Sequence, residues 1–301
     1  MNASVRAARL LCLLLACALL PATVSAACPP DGLDRDGLRA LKALRFDVPD
    51  ASDRRSLALG LAGCLGDPDP ELRDGIAYEA LAHWMRAGQL GPDTLRTLRD
   101  RLYERIDGGE GEGFVRPFAA LVLSEVARTD RISPWMEAGE RDAMVRKAAA
   151  YLASVQDYRG FDNREGWRHG VAHGADWVLQ LALNPALERT QGDLILVAVA
   201  AQVVPGSGHA YVSGEPGRLA RPVLALARSG LYGTEDWQAW FMALPPRIGD
   251  PELAYADEGW LARRHDLMAF LLSMYIEADQ GGDAGVAALK PVIVDAIRAV
   301  P

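Results

Sequence analysis

Two histidines and one aspartate between residues 166 and 177 are the side chains best suited to chemistry in this sequence. In an α-helix, His169, His173 and Asp176 would project within about 40° of one another. Such a face can bind a divalent metal such as zinc, or a His–Asp pair can transfer a proton. The same spacing also suits a structural polar face, in which the imidazoles bond to neighbouring backbone. All three interpretations stay open at this point.

A metal site would need more ligands than this one segment provides. The segment lacks the internal glutamate of an H-E-x-x-H pattern, and zinc sites in proteins use three or four protein ligands. His83, His209 and Asp266 are the candidates for a further ligand. No cofactor is established by the sequence, and the catalytic residues of any reaction stay unknown.

The elements that would position these residues are helices. Apolar residues recur at helical spacing along roughly a dozen segments, one of them over residues 167–183, and no convincing strand is predicted. Gly170 and Gly174 weaken that helix, so we expect backbone or ligand to approach it closely there. An Asp-Pro-Asp-Pro turn at residues 67–70 resembles the turn within a HEAT repeat. We predict an all-α fold, an α-solenoid of antiparallel helix pairs (a HEAT-like superhelix), with a closed helical bundle as the alternative.

The stretch over residues 157–176 resembles a bacterial family catalogued as domain of unknown function 2785, whose hallmark is an acidic-Asp-x-Arg-Gly turn followed by a Gly-Trp-Ala-His-x-x-Ala-His-x-Ala-Asp run. Leu-Arg-Asp at 72–74, Phe-Val-Arg-Pro-Phe at 114–118 and Gly-Glu-Pro-Gly-Arg-Leu at 214–219 look like further family segments. The likeness spans about residues 55–245. The residues that match the hallmark are Asp157, Arg159, Gly160, Gly166, Trp167, His169, Ala172, His173, Ala175 and Asp176.

The resemblance implies an all-helical fold and supplies no established activity, substrate or cofactor. It favours a buried network of Asp157, Arg159, His169, His173 and Asp176, which we expect to form a ligand pocket together with Trp167 or to fix the loop to the helix. Arg168 and Gln156 depart from the family pattern. Because Arg168 falls on the apolar side of the predicted helix, we expect the first turn to be splayed or solvated.

The N-terminal residues have the pattern of an export signal. Arg6 and Arg9 precede an apolar run at residues 10–20, and small residues around Ala26 suit cleavage. Eleven helical residues would rise only about 16 Å, which is too short to cross a bilayer. We predict a signal peptide at 1–26, a single helical domain at 27–301, and a periplasmic or secreted protein without a transmembrane anchor. A lipoprotein modified at Cys17 is the alternative.

Cleavage at that point would leave Cys28 and Cys64 as the only cysteines. An oxidising compartment and an even count favour a disulfide between them. The alternative is a free, buried Cys64 on the same helical face as Leu57 and Leu61.

Composition narrows the partners that we expect. Forty acidic and 32 basic residues give a net charge of −8, which argues against nucleic acid as a partner. The first function hypothesis is a periplasmic binding or interaction module that recognises a peptide, a protein or a small polar ligand. The alternative is a metal-dependent or acid–base hydrolase that uses His169, His173 and Asp176.

Overall fold

A computed structural model describes residues 28–301, so the predicted signal peptide and Cys17 lie outside the described residues. The all-α fold class is confirmed. Among the described residues, no helix is both long and apolar enough to cross a membrane. The helices are α1 (Arg35–Ala43), α2 (Ala51–Leu61), α3 (Pro70–Leu72), α4 (Glu79–Arg86), α5 (Pro92–Asp107), α6 (Val115–Ile132), α7 (Ala138–Ser154), α8 (Gly170–Ala182), α9 (Arg189–Val203), α10 (Glu215–Ser229), α11 (Thr234–Met242), α12 (Glu258–Gln280), α13 (Ala284–Ala287) and α14 (Lys290–Arg298).

The helices pack in a regular order. Helices α4, α6, α8, α10, α12 and α14 each contact the next of this set, while α7 packs against both α8 and α9. The buried core runs along these contacts and includes Trp84, Trp177 and Trp260. This neighbour order favours stacked helix pairs, and the choice between a solenoid and a closed bundle stays a prediction.

The turn before α3 forms for local reasons that the sequence contains. The side chain of Asp67 accepts a hydrogen bond from the backbone N–H of Asp69 at 2.9 Å, and Asp69 in turn caps α3 by accepting from the N–H of Glu71 at 2.9 Å. Pro70 occupies the first helical turn, where its missing N–H costs nothing. A π-helical segment, Arg73–Tyr78, then joins α3 to α4.

The helix predicted over 167–183 is shorter than expected, because α8 begins only at Gly170. The preceding residues form a small antiparallel hairpin, β1 (Phe161–Asp162) and β2 (Gly166–Trp167), which the sequence did not predict. Asp162 closes the hairpin turn by accepting from the N–H groups of Arg164 and Glu165 at 2.8 and 3.1 Å. Gly166 takes a positive φ of 74°, which an L side chain disfavours.

The two helix glycines allow α7 to approach α8, as a close approach at these positions was expected. A Cβ on Gly174 would lie 3.1 Å from both Leu152 and Tyr151 of α7. A Cβ on Gly170 would lie 3.3 Å from Val155. Both glycines therefore serve helix packing.

Cys28 and Cys64 form a disulfide, with their Cα atoms 4.9 Å apart, as the cysteine count predicted. The bond attaches the start of the described chain to the 3-10 turn Ala62–Gly66 that follows α2. Cys64 is fully buried, so it also contributes to the apolar core.

Replacing Cys28 by serine should lower the free energy of unfolding by about 3–4 kcal/mol, since the bond closes a loop of 36 residues in the unfolded chain. Urea denaturation followed by circular dichroism measures this change. A reductant should destabilise the wild type by a similar amount and leave Cys28→Ser unchanged. Equal stability of the oxidised wild type and the variant would contradict the prediction.

Candidate functional site

One cavity of about 690 Å³ lies where several of the elements described above meet. It lies between α3, the π-helical segment, α6, the hairpin, the start of α8 and the start of α10. Its walls combine aromatic and aliphatic side chains with two imidazoles and several charged groups. The lining residues are Pro70, Glu71, Asp74, Gly75, Tyr78, Glu79, Phe118, Leu121, Trp167, His169, His173, Ser213 and Arg218.

His169 reaches this cavity from the turn between β2 and α8 and not from within a helix. It has a left-handed φ of 57° and caps α8, while its N–H donates to the carbonyl of Arg159 at 3.0 Å. The ring stacks on Trp167, with centroids 4.6 Å apart. Its buried Nε2 has no hydrogen-bond partner and lies 3.5 Å from Oε1 of Glu215.

His173 projects from the first turn of α8 and has a defined tautomer. Its Nδ1 lies 3.1 Å from the carbonyl oxygen of Pro117, which can only accept, so Nδ1 carries the hydrogen. Phe118 packs edge-on against the ring at a centroid distance of 5.2 Å. Nε2 is therefore the nitrogen left to accept a hydrogen bond from a ligand.

Both imidazoles are neutral at physiological pH. Burial, followed by the nearby His169, lowers the pKa of His173 to about 3. Burial, followed by the charge of Arg218, lowers the pKa of His169 to about 4. The two rings lie 5.7 Å apart and offer hydrogen-bonding atoms without positive charge.

Asp176 does not join the histidines as a ligand set. One oxygen of its carboxylate forms an ion pair with Arg218, and the other lies 4.0 Å from Arg221. Burial raises the pKa of Asp176, and the attraction of Arg218 partly offsets this rise. Within residues 28–301, no group of three or more His, Cys, Asp and Glu side chains is arranged to hold a metal ion. Because Arg218 is paired with the carboxylate of Asp176, this arrangement gives no support to the predicted His169–His173–Asp176 metal site, which stays a prediction.

The three residues considered as further metal ligands have other neighbours. His83 lies 6.0 Å from the ring of Phe46, and His209 stacks on Tyr158 at 5.5 Å. Asp266 accepts from the N–H of Tyr211 at 2.8 Å, and burial raises the pKa of its carboxyl group to about 6.

Arg73 holds the hairpin beside the cavity. This side chain is fully buried and donates to the carboxylate of Asp74 at 2.6 Å and to the carbonyl of Glu165 at 2.7 Å. Its guanidinium also lies 4.0 Å from the centre of the Phe114 ring. The contact with Glu165 fixes the hairpin turn to the π-helical segment, and thereby places Trp167 at the cavity.

Asp157 and Arg159 lie outside the cavity, contrary to the expected common network. Their side chains form an ion pair with each other, and Arg159 also donates to the carbonyl of Glu112 at 3.4 Å. The pair therefore fastens one loop to another. Arg168 was expected in a splayed or solvated first turn: the residues before Gly170 are indeed not helical, but Arg168 is buried. It donates to the same carbonyl at 2.9 Å, and its guanidinium lies 4.1 Å from the Phe114 ring centre.

Sequence reasoning thus found three cavity residues, Trp167, His169 and His173, and missed most of the others. Three of the missed residues could have been found from the family resemblance. Asp74, Phe118 and Arg218 belong to the three outlying segments on which the family resemblance rests, and the fold brings those segments to the same cavity. Tyr78, Glu79 and Leu121 carried no such signal.

One known protein family matches a range of the chain that contains much of this site. The family described as "Protein of unknown function (DUF2785)" matches residues 102–276, which is more than half of the chain. The chain belongs to this family. The matched range of DUF2785 includes Phe118, both histidines and Arg218, while Pro70 to Glu79 lie before it. No curated protein and no solved structure matches the chain.

The two histidines should make stability decrease as the pH falls from about 6.5 toward 4, whereas Asp266, whose pKa is raised to about 6, opposes this trend. An unfolded histidine has a pKa near 6.5, so in this range the unfolded chain binds protons that buried His173 and His169 do not bind. Each group contributes a slope of at most about 1.4 kcal/mol per pH unit. Chemical denaturation across this range measures the slope.

The control is His173→Asn, which removes one titrating group and keeps an amide N–H near the position of Nδ1. We expect a shallower slope in this variant than in the wild type. An identical slope would contradict the assignment of His173 as a buried neutral histidine.

Proposed function

We propose that this protein is an exported binding module that takes a polar ligand of limited size into the cavity. The observation that carries the proposal is the convergence of two neutral imidazoles with Trp167 and Arg218 around one space of about 690 Å³. That volume lies in the range typical of small-molecule sites. Apolar walls with a few fixed polar groups are also the usual composition of such sites.

The position of the polar atoms supports binding. His173 has its tautomer fixed by Pro117, and His169 is held between Trp167 and the carboxylate of Glu215. Side chains locked in this way lose little conformational entropy when a ligand binds, which favours affinity. Of the ligand classes considered from sequence, a cavity of this kind favours a small polar molecule over a protein surface.

The hydrolase alternative receives less support from the same contacts. A general base works best with a pKa near the operating pH, and a pKa of about 3 makes His173 a weak base. Asp176 is paired with Arg218, so its carboxylate is not placed to orient either imidazole.

Export is supported by the basic and apolar N-terminal pattern and by the disulfide. Disulfides persist mainly in oxidising compartments such as the periplasm or the extracellular space. A periplasmic or secreted location is therefore part of the proposal, with lipid attachment at Cys17 as the alternative.

Expression of the full sequence in a bacterium should give a mature protein that begins at Ala27 or Cys28. Cell fractionation and intact mass measurement test this outcome. Leu14→Arg with Leu15→Arg, which interrupts the apolar run, should leave an unprocessed cytoplasmic precursor. A mature chain that begins at a lipid-modified Cys17 would establish the lipoprotein form, and an unprocessed wild-type chain would contradict export.

Binding in the cavity can be tested without knowing the ligand. The purified mature chain is heated with millimolar amino acids, dipeptides, nucleosides and neutral sugars, and the melting temperature is recorded. We expect at least one probe class to raise it, because a ligand that binds only the folded state stabilises that state.

A cavity-filling variant supplies the specificity control. Leu121→Trp adds bulk to the lining and should abolish the probe-induced shift. Ile132→Trp adds the same bulk at a separate cavity of about 280 Å³ and should preserve the shift. A shift that persists in Leu121→Trp, or no shift with any probe, would refute binding in this cavity.

A further inference from the structure

The chemistry of the ligand follows from how charge is distributed around the cavity, and this inference rests on the proposed binding function. Four lining residues carry a formal charge, and each has an oppositely charged partner within the protein. The pairs are Glu71 with Arg39 at 2.8 Å, Asp74 with Arg73 at 2.6 Å, Glu79 with Lys42 at 3.0 Å, and Arg218 with Asp176.

These pairs leave the lining rich in polar atoms and compensate each of its four formal charges. An anionic ligand would compete with Asp176 for Arg218. A cationic ligand would compete with Lys42 and Arg39 for Glu79 and Glu71. Either ligand would also lose its own hydration without meeting a free counter-charge, and that desolvation is costly.

The imidazoles add hydrogen-bonding capacity and no charge. Nε2 of His173 is an acceptor, because its Nδ1 hydrogen is donated to Pro117. The carboxylate oxygens of Asp74 and Glu79 are further acceptors, while the Tyr78 hydroxyl and Arg218 can donate. Such a mixture of acceptors and donors suits hydroxyl groups, which do both.

The remaining wall is apolar. Phe118 and Leu121 of α6 line one side, and Trp167 of the hairpin, which is 37% exposed, lines another. A ligand that matches this site presents C–H surface as well as hydroxyl groups. Amino acids and dipeptides match it less well, because they carry full charges at both ends.

We infer that the cavity binds an uncharged polyhydroxylated ring, that is, a neutral mono- or disaccharide. Hydroxyl groups hydrogen-bond to Nε2 of His173 and to the paired carboxylates. The C–H face of the ring packs against the aromatic and aliphatic wall.

A series of sugars that differ in charge tests this inference directly. Glucose, galactose, N-acetylglucosamine and maltose are the neutral probes, while glucosamine and glucuronate add a cation and an anion to the same ring. Saturation-transfer NMR and titration on the mature chain report binding. We expect one or more neutral sugars to bind, and each charged analogue to bind at least roughly tenfold more weakly because of its unpaired charge.

Two substitutions of His173 test the proposed hydrogen bond between a sugar hydroxyl group and Nε2 of this residue. His173→Asn keeps a donor toward Pro117 and removes the acceptor at Nε2, so sugar affinity should fall roughly tenfold. His173→Gln places an amide oxygen near the position of Nε2 and should retain more affinity than His173→Asn. Circular dichroism and the melting temperature verify that both variants fold. Equal affinity in the wild type and His173→Asn would overturn the role of His173.

The outcomes separate the inference from the proposed function. Preference for glucosamine or glucuronate, or binding of a dipeptide but no sugar, would overturn the neutral-sugar inference and leave a functional cavity, provided that Leu121→Trp abolishes the binding. Binding that survives Leu121→Trp would overturn both. Neutral-sugar binding that Leu121→Trp abolishes and Ile132→Trp preserves supports both.

Discussion

The candidate site depends on one buried guanidinium. Arg73 is fully excluded from solvent. Its guanidinium donates hydrogen bonds to the carboxylate of Asp74 and to the carbonyl groups of Asp67 and Glu165. A buried cation is tolerated only when its hydrogen-bonding groups are satisfied, so these partners are fixed in relation to one another. The turn before α3, the π-helical segment and the hairpin are thereby connected through a single side chain.

A second constraint acts at the start of α8. His169 takes a left-handed conformation that costs a non-glycine residue energy, and this corner turns the chain from the hairpin into the helix. The result is that His169 approaches the cavity from the hairpin side while His173 approaches from the helix. Two histidines four residues apart therefore lie around one space without sharing a regular helix.

The sequence was sufficient to predict the parts of the structure that depend on local patterns. Apolar periodicity predicted the helices, and the two cysteines left by the proposed cleavage predicted the disulfide. The sequence also identified Trp167, His169 and His173.

The sequence did not predict the surroundings of Asp176, because helical spacing places a carboxylate on a face but contains no information about the Arg218 that approaches from α10. It failed for Asp157 and Arg159 for the same reason, since their neighbour Glu112 lies far away in the chain. Contacts across long sequence separations decide which polar residues face the cavity.

The π-helical segment has a consequence for how this chain tolerates insertions and deletions. A π turn holds an extra residue in a widened turn, so the helix beyond it can keep its phase. Buried Trp84 and Met85 of α4 would therefore stay in the core after removal of one residue between 73 and 78. The widened turn itself would be lost, and with it the placement of Asp74, Gly75 and Tyr78 along the cavity. The length of this segment therefore matters to the cavity more than to the core.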